Sequence, residues 1–239
     1  MKKIKFISFE DRVTQTEPSP VPSKSVVPKW YKKTPNFNSI QGKSNNIVDF
    51  AKNQATHDGF HATYKMCIPF VDAMTSGYSI LLPVTVVVIQ VDGSPQLRWN
   101  TTSIVADSPN PMVIQNLPIP HGHSDNLFRW VNNWKIETPI GYSLLVTHPV
   151  FRHDLPFTTL TGLVDTDKHI NPLLLPFFIQ KDFEGEIPMG TPIAQIFPIK
   201  RDDWESSVEQ KNDNHGSFVI KQMFLRTYKS LYWTRKSYN

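Results

Sequence analysis

The chain has a single cysteine, Cys67, in 239 residues. One thiol excludes an intrachain disulfide and any multi-cysteine metal site. Nothing adjacent to Cys67 would lower its pKa or act as a base, so a small packing role is expected for it rather than nucleophilic chemistry. Glycine is also scarce, with ten residues against twenty prolines. That balance argues against long helices and glycine-rich phosphate loops, and the chain holds no Walker-type loop, dinucleotide fingerprint or HExxH. Long apolar runs are missing as well. None approaches the ~18 residues of a membrane span, and no apolar stretch follows Met1-Lys2-Lys3, so neither secretion nor membrane insertion is expected.

What is present is aromatic and strand-like. Fifteen Phe, six Trp and seven Tyr supply much of the apolar 39%, so large rings carry the burial. Apolar residues come in short runs broken by Pro, Gly and Asp, at 142–146, 160–164, 173–179 and 193–199, with further strand-like runs at 78–82 and 84–91. Runs this short, rich in β-branched and aromatic residues, predict an all-β protein. The expected organisation is a proline-rich basic arm over 1–37, a β domain over 38–201 and a basic, aromatic tail over 202–239. Residues 14–35 hold five prolines and should run extended. A short helix is expected over 67–74, a turn or two of helix within 47–55, and a further helix starting at Asp202 or Asp203. Hairpins are expected over 92–95 and at Asn132-Asn133, where Asn tolerates positive φ. Phe224, Leu225, Tyr228, Leu231 and Tyr232 would share one helical face.

Charge is uneven. Residues 1–33 hold eight Lys or Arg against three acids and 211–239 hold six against one, so each end is +5 and the interval between is −6. Such ends suit docking on a partner. Trp30, Tyr31, Tyr232 and Trp233 are the candidate interface anchors. Lysines beside Trp30 and Tyr31 would also suit base stacking, though protein docking ranks above nucleic acid, with no other nucleic-acid signature in the chain.

Residues 139–195 carry a more specific pattern: Pro139 and Gly141, a strand, Pro149, then Gly162-Leu163-Val164-Asp165-Thr166-Asp167, another strand, and Ile187-Pro188-Met189-Gly190-Thr191-Pro192-Ile193-Ala194-Gln195. This order resembles the core of the trimeric dUTPase and dCTP deaminase superfamily. Ser76-Gly77-Tyr78-Ser79-Ile80 is similar to that family's early Ala-Gly-Tyr-Asp-Leu segment, with Ser79 at the acidic position. The chain also resembles, over most of its length, a family of uncharacterised tailed-phage proteins that carry the same stretches.

The resemblance implies a dUTPase-like β-clip or jelly-roll-like barrel with an extended N-terminal arm and a short C-terminal helix or tail. It implies Asp165 as the counterpart of the general base, and so the candidate catalytic residue. The stacking tyrosine falls at Lys168 and the phosphate-binding segment at Pro149-Val150-Phe151-Arg152, so neither is kept. The family's glycine-rich closing motif has no match in 202–239.

With most reactive positions replaced, Asp165 and Asp167 read as turn residues whose side chains bond local backbone, and no cofactor is expected. His121, His123, Asp125, His148, His153, Asp154 and His169 lack diagnostic metal spacing and read as loop residues, with His148 half-buried and hydrogen-bonded. The expectation is a non-enzymatic structural or assembly protein of phage origin, in the infected host's cytoplasm or the virion. Its partners would be itself, as a homotrimer, or other phage proteins, with no membrane. The alternative is an enzyme acting on a nucleotide or other small acid through the Asp165 loop. Arg152, His153, Asp167, Lys168 and His169 would then bind the ligand, with Mg²⁺ as cofactor.

Overall fold

The computed structural model describes residues 2–8, 17–39, 42–44, 61–209 and 228–239. The expected helix within 47–55 lies outside them, as do Phe224 and Leu225. The described chain is mostly β, in antiparallel sheets with few and short helices, and no sheet closes into a barrel. No described helix is long and apolar enough to cross a membrane.

The chain forms two compact units, one of residues 1–26 with 77–201 and one of residues 27–76 with 202–239. Residues 1–26, read from sequence as part of an arm, group with the β body. They do so because strand β1 (Lys5–Ser8) pairs with a body strand and β2 (Val21–Pro22) with another.

The second unit holds β3 (Phe37–Ser39), β4 (Gly42–Ser44) and β5 (His61–Ala62), in the order β4-β3-β5. Among its described residues it also holds two α-helices, a 3-10 turn at Tyr64–Met66 and a single π-helical turn at Tyr228–Tyr232. The Lys29–Lys33 helix starts after Pro28, whose φ of −65° presets the first turn, and ends at Thr34 with its backbone extended before Pro35. It lies inside the segment expected to be extended throughout. The Ile68–Thr75 helix has Pro69 in its first turn, as its sequence predicts. The helix expected from Asp202 does not form: residues 202–209 are irregular. Trp204 and Val208 are both almost fully exposed, so no apolar face repays the nucleation cost.

In the first unit the strands are β6 (Tyr78–Leu81), β7 (Val86–Val91), β8 (Ser94–Trp99), β9 (Ala106–Asp107), β10 (His123–Val131), β11 (Trp134–Glu137), β12 (Tyr142–Thr147), β13 (Phe157–Thr159), β14 (Gly162–Val164), β15 (Leu174–Gln180), β16 (Gly185–Ile187) and β17 (Pro192–Lys200). The principal sheet runs β14-β12-β17-β6-β2, beside a four-stranded sheet β13-β15-β10-β9 and a three-stranded one, β16-β7-β8. The β7–β8 hairpin turns over Asp92-Gly93, whose φ values of 51° and 74° match the strand twist.

The hairpin expected at Asn132-Asn133 is absent. β10 pairs with β15 and β9, while β11 leaves to pair with β1. A tight hairpin there would need positive φ, and neither asparagine has it. Instead, the Asn132 side chain donates to Trp134 O (2.7 Å) and accepts from Trp134 N (3.3 Å), which turns the chain from one sheet into another.

The core of this unit draws on both larger sheets. Trp130 stacks on Phe177 with centroids 3.8 Å apart, and Phe157 meets both edge-on. Leu144, Val146, Ile193 and Ile196 are buried from the five-stranded sheet. Thr159 Oγ1 ties the two sheets by donating to Ile193 O at 2.5 Å.

Candidate functional site

The site grows from the ends of β12, β14 and β17. Pro139-Ile140-Gly141-Tyr142 makes a turn closed by Tyr142 N to Pro139 O (3.1 Å), with Gly141 at φ +84°, a conformation that costs other residues about 1 kcal/mol or more. Register does the rest. β12 pairs Leu144 with Val164 and Tyr142 with Lys200. Ser143 therefore faces Asp165 one step beyond β14, and Arg201 lies opposite Gly141, donating its N–H to Gly141 O at 2.8 Å. Because side chains alternate along a strand, Ser143 and Arg201 emerge on the same face.

Four groups close on one another there. Ser143 Oγ donates to Asp165 Oδ1 at 2.6 Å, and Arg201 Nη1 lies 3.2 Å from the same oxygen. Arg201 also donates to both oxygens of Asp167, through Nη1 (3.0 Å) and Nη2, and to Ser143 Oγ (3.0 Å). Asp167 is covered, its side chain only 2% exposed, and its Oδ2 accepts the Gly141 N–H at 2.9 Å.

Below this layer Thr166 and Thr138 share a buried hydroxyl contact of 2.8 Å, and Thr138 Oγ1 donates to Tyr142 O. The Asp165 carbonyl takes the N–H groups of Lys168 and His169, so the 165–169 turn is fixed by its own backbone.

These bonds set the electrostatics. Arg201, and then the Gly141 N–H, hold the Asp167 carboxyl down to about 2. The Ser143 hydroxyl and, behind it, Arg201 hold Asp165 below the usual carboxylate range. Arg201 is raised in turn by Asp167. A carboxylate whose basicity is lowered and whose Oδ1 already accepts two donors is a poor general base.

The structure brings Asp165 and Asp167 together, keeps Lys168 and His169 on the same turn through their backbone N–H groups, and ties Arg152 to a different carboxylate. Arg152 is held bidentately by Asp154, at 2.8 and 3.1 Å, on the segment after Pro149. His153, Lys168 and His169 are exposed. Sequence reading missed Arg201 and Ser143. The only signal for either was strand parity, which requires the β12–β17 register.

Among the described residues no group of three metal-ligating side chains converges. Both Asp167 oxygens and Asp165 Oδ1 are committed to Arg201, Gly141 and Ser143, which leaves Asp165 Oδ2, on a side chain 56% exposed, as the carboxylate oxygen of this pair open to a cation. His123 lies on β10, not in a loop, with Nε2 2.9 Å from Thr158 Oγ1. His148 is half-buried: Nε2 donates to Arg152 O (3.1 Å) and Nδ1 accepts from Thr159 N (3.2 Å). That pattern fixes the neutral tautomer, and burial lowers its pKa.

The four candidate anchors all fall in the second unit. Trp30 is 39% and Tyr232 58% exposed. Tyr31 is half-buried, with Lys65 Nζ 5.5 Å from its ring centre. Trp233 is also half-buried: its Nε1 donates to Asp72 Oδ2 at 2.8 Å, and Lys236 Nζ reaches the same oxygen at 2.6 Å.

No family model matches the chain, and no curated protein does. Among solved structures it is similar to a mutant dUTPase from phage phi11 of S. aureus, at 14% identity and a TM-score of 0.29, over 58% of this chain and 84% of that one. A likeness at that score carries no argument about this chain.

Proposed function

We propose that the chain is a non-catalytic structural or assembly protein of phage origin, built on a dUTPase-like β body. In it the carboxylate at the catalytic position serves as part of a latch. The observation that carries this reading is the closed network Ser143–Asp165–Arg201–Asp167. It joins the ends of three strands and spends on one another the charges that hydrolysis would direct at a phosphate and a water. An arginine at the end of β17 is placed to hold strands together, since both its neighbours in the register and its carboxylate partners belong to the same fold.

Docking falls to the C-terminal segment. Trp233 fixes it against the Ile68–Thr75 helix through Asp72, which leaves Tyr228, Leu231 and Tyr232 exposed at 44%, 65% and 58%. Large apolar side chains presented beside an anchored ring suit a protein partner, either a second copy of this chain or another phage protein. Sedimentation of the full chain against a Tyr228→Ser, Leu231→Ser, Tyr232→Ser variant tests this. A loss of self-association, or of binding to co-expressed virion proteins, is expected. Unchanged assembly in the triple variant would overturn the docking assignment.

A further inference from the structure

We propose that the second unit binds single-stranded nucleic acid on a surface formed by Trp30, Tyr64, Phe70 and the lysines of the Lys29–Lys33 helix. Three rings form a continuous run there. Phe70 sits 6.4 Å from Trp30 and 5.6 Å from Tyr64, centroid to centroid, and the two outer rings are open to solvent at 39% and 76%. Tyr64 stands beside a recess of about 300 Å³ lined by Ala62, Thr63, Met66 and Cys67. Trp30 meets Phe70 edge-on at 73° and Tyr64 is tilted from it by 36°, so Phe70 props the two outer rings, and each of those exposed rings can stack one base.

Charge decides the partner. All of the chain's net +4 belongs to this unit: residues 27–76 with 202–239 hold 12 Lys or Arg against 8 acids, while 1–26 with 77–201 hold 13 of each. Lys29, Lys32 and Lys33 are exposed, and none forms an ion pair among the described residues. Lys65 is used differently. It donates to the carbonyls of Lys32 (3.4 Å) and Thr34 (2.9 Å) and so fixes the end of the helix that carries the others. Ammonium groups with no ion pair among the described residues, on a helix that also carries an exposed ring, fit a ligand with both a phosphate backbone and planar bases. A duplex offers its bases stacked away, and an acidic peptide offers the charge without the planes.

The test is fluorescence anisotropy of a labelled twelve-nucleotide oligo-dT with the full chain. The same-length duplex and poly-glutamate serve as competitors. Binding is expected to weaken with salt at a slope of about −2 in log–log terms, for three neutralised phosphates. Tyr64→Ala, which removes an exposed ring and leaves folding intact, is expected to cost about tenfold in affinity. Lys32→Glu with Lys33→Glu should abolish binding at physiological salt. No binding at low salt would overturn the proposal. So would equal competition by poly-glutamate or duplex, or a Tyr64→Ala variant that binds like wild type, since each would reduce the surface to unspecific charge or a protein-docking face. The C-terminal triple variant should bind oligo-dT normally, which separates this result from that of the docking assay.

Discussion

Replacing Gly77 by alanine should be among the most damaging single changes in the first unit. Gly77 opens β6 at φ +72°, and a Cβ there would lie 2.1 Å from the carbonyl oxygen of Ile196 on the neighbouring strand β17. The left-handed conformation costs about 1 kcal/mol for an L-residue. The contact is more severe, because a backbone carbonyl in mid-sheet has no rotamer to escape into. Relief needs an opening of about 1 Å between β6 and β17, at the pairs Ile196↔Tyr78 and Gln195↔Ser79, and ladder bonds are worth about 1 kcal/mol each. A total of about 3–5 kcal/mol follows, in the range of the most disruptive single substitutions. In urea denaturation with a slope of about 2 kcal/mol/M, the midpoint of this unit should fall by roughly 2 M. Gly93→Ala is the matched control. Its φ is +74°, but nothing lies within 4 Å of the added carbon, so only the conformational cost of about 1 kcal/mol should appear. Equal losses for the two variants would refute the β6–β17 approach described here.

Two further outcomes follow from ionisable groups. Asp167 should titrate at about 2 in an NMR pH series and return toward 3.8 when Arg201 is changed to Gln. Its folded-state pKa is depressed, so its contribution is present above about pH 4 and is lost as pH falls through 2. An unshifted Asp167 would mean the latch is not formed. His148 is depressed by burial, with His153 and Arg152 acting in the same direction and Asp154 and the Arg152 carbonyl opposing. Its stabilising effect is therefore present above the ordinary histidine value near 6.5 and is lost as pH falls below it. Wild type should lose thermal stability from pH 7.5 to 5 more steeply than His148→Gln, and parallel losses would rule out a buried neutral imidazole.

Much of the fold was legible in the residues. Short apolar runs gave the strands, and Asp92-Gly93 gave its hairpin because only residues tolerant of positive φ fit that turn. Asn132-Asn133 misled because an asparagine can satisfy the backbone through its side chain as readily as it can adopt positive φ. Only the competing partners of β10 and β11 decide between these. The Lys29–Lys33 helix hid among prolines, since Pro28 looks the same before a helix as in an extended arm. At the candidate site the Asp165–Asp167 turn could be read from its local pattern, but its carboxylates bond Ser143, Gly141 and Arg201 and not the turn's own backbone, as the pattern had suggested. Arg201 could not: it meets those carboxylates through a strand pairing between residues more than thirty apart in sequence.

The proposed role of the Asp165 carboxylate is to hold strands together instead of activating water. Pyrophosphate release from dUTP and dCTP, measured with Mg²⁺ for wild type and Asp165→Asn, decides between the two. No turnover above background is expected from either protein, with Asp165→Asn distinguished by lower thermal stability. Turnover by wild type that disappears in Asp165→Asn while the fold remains intact would contradict it.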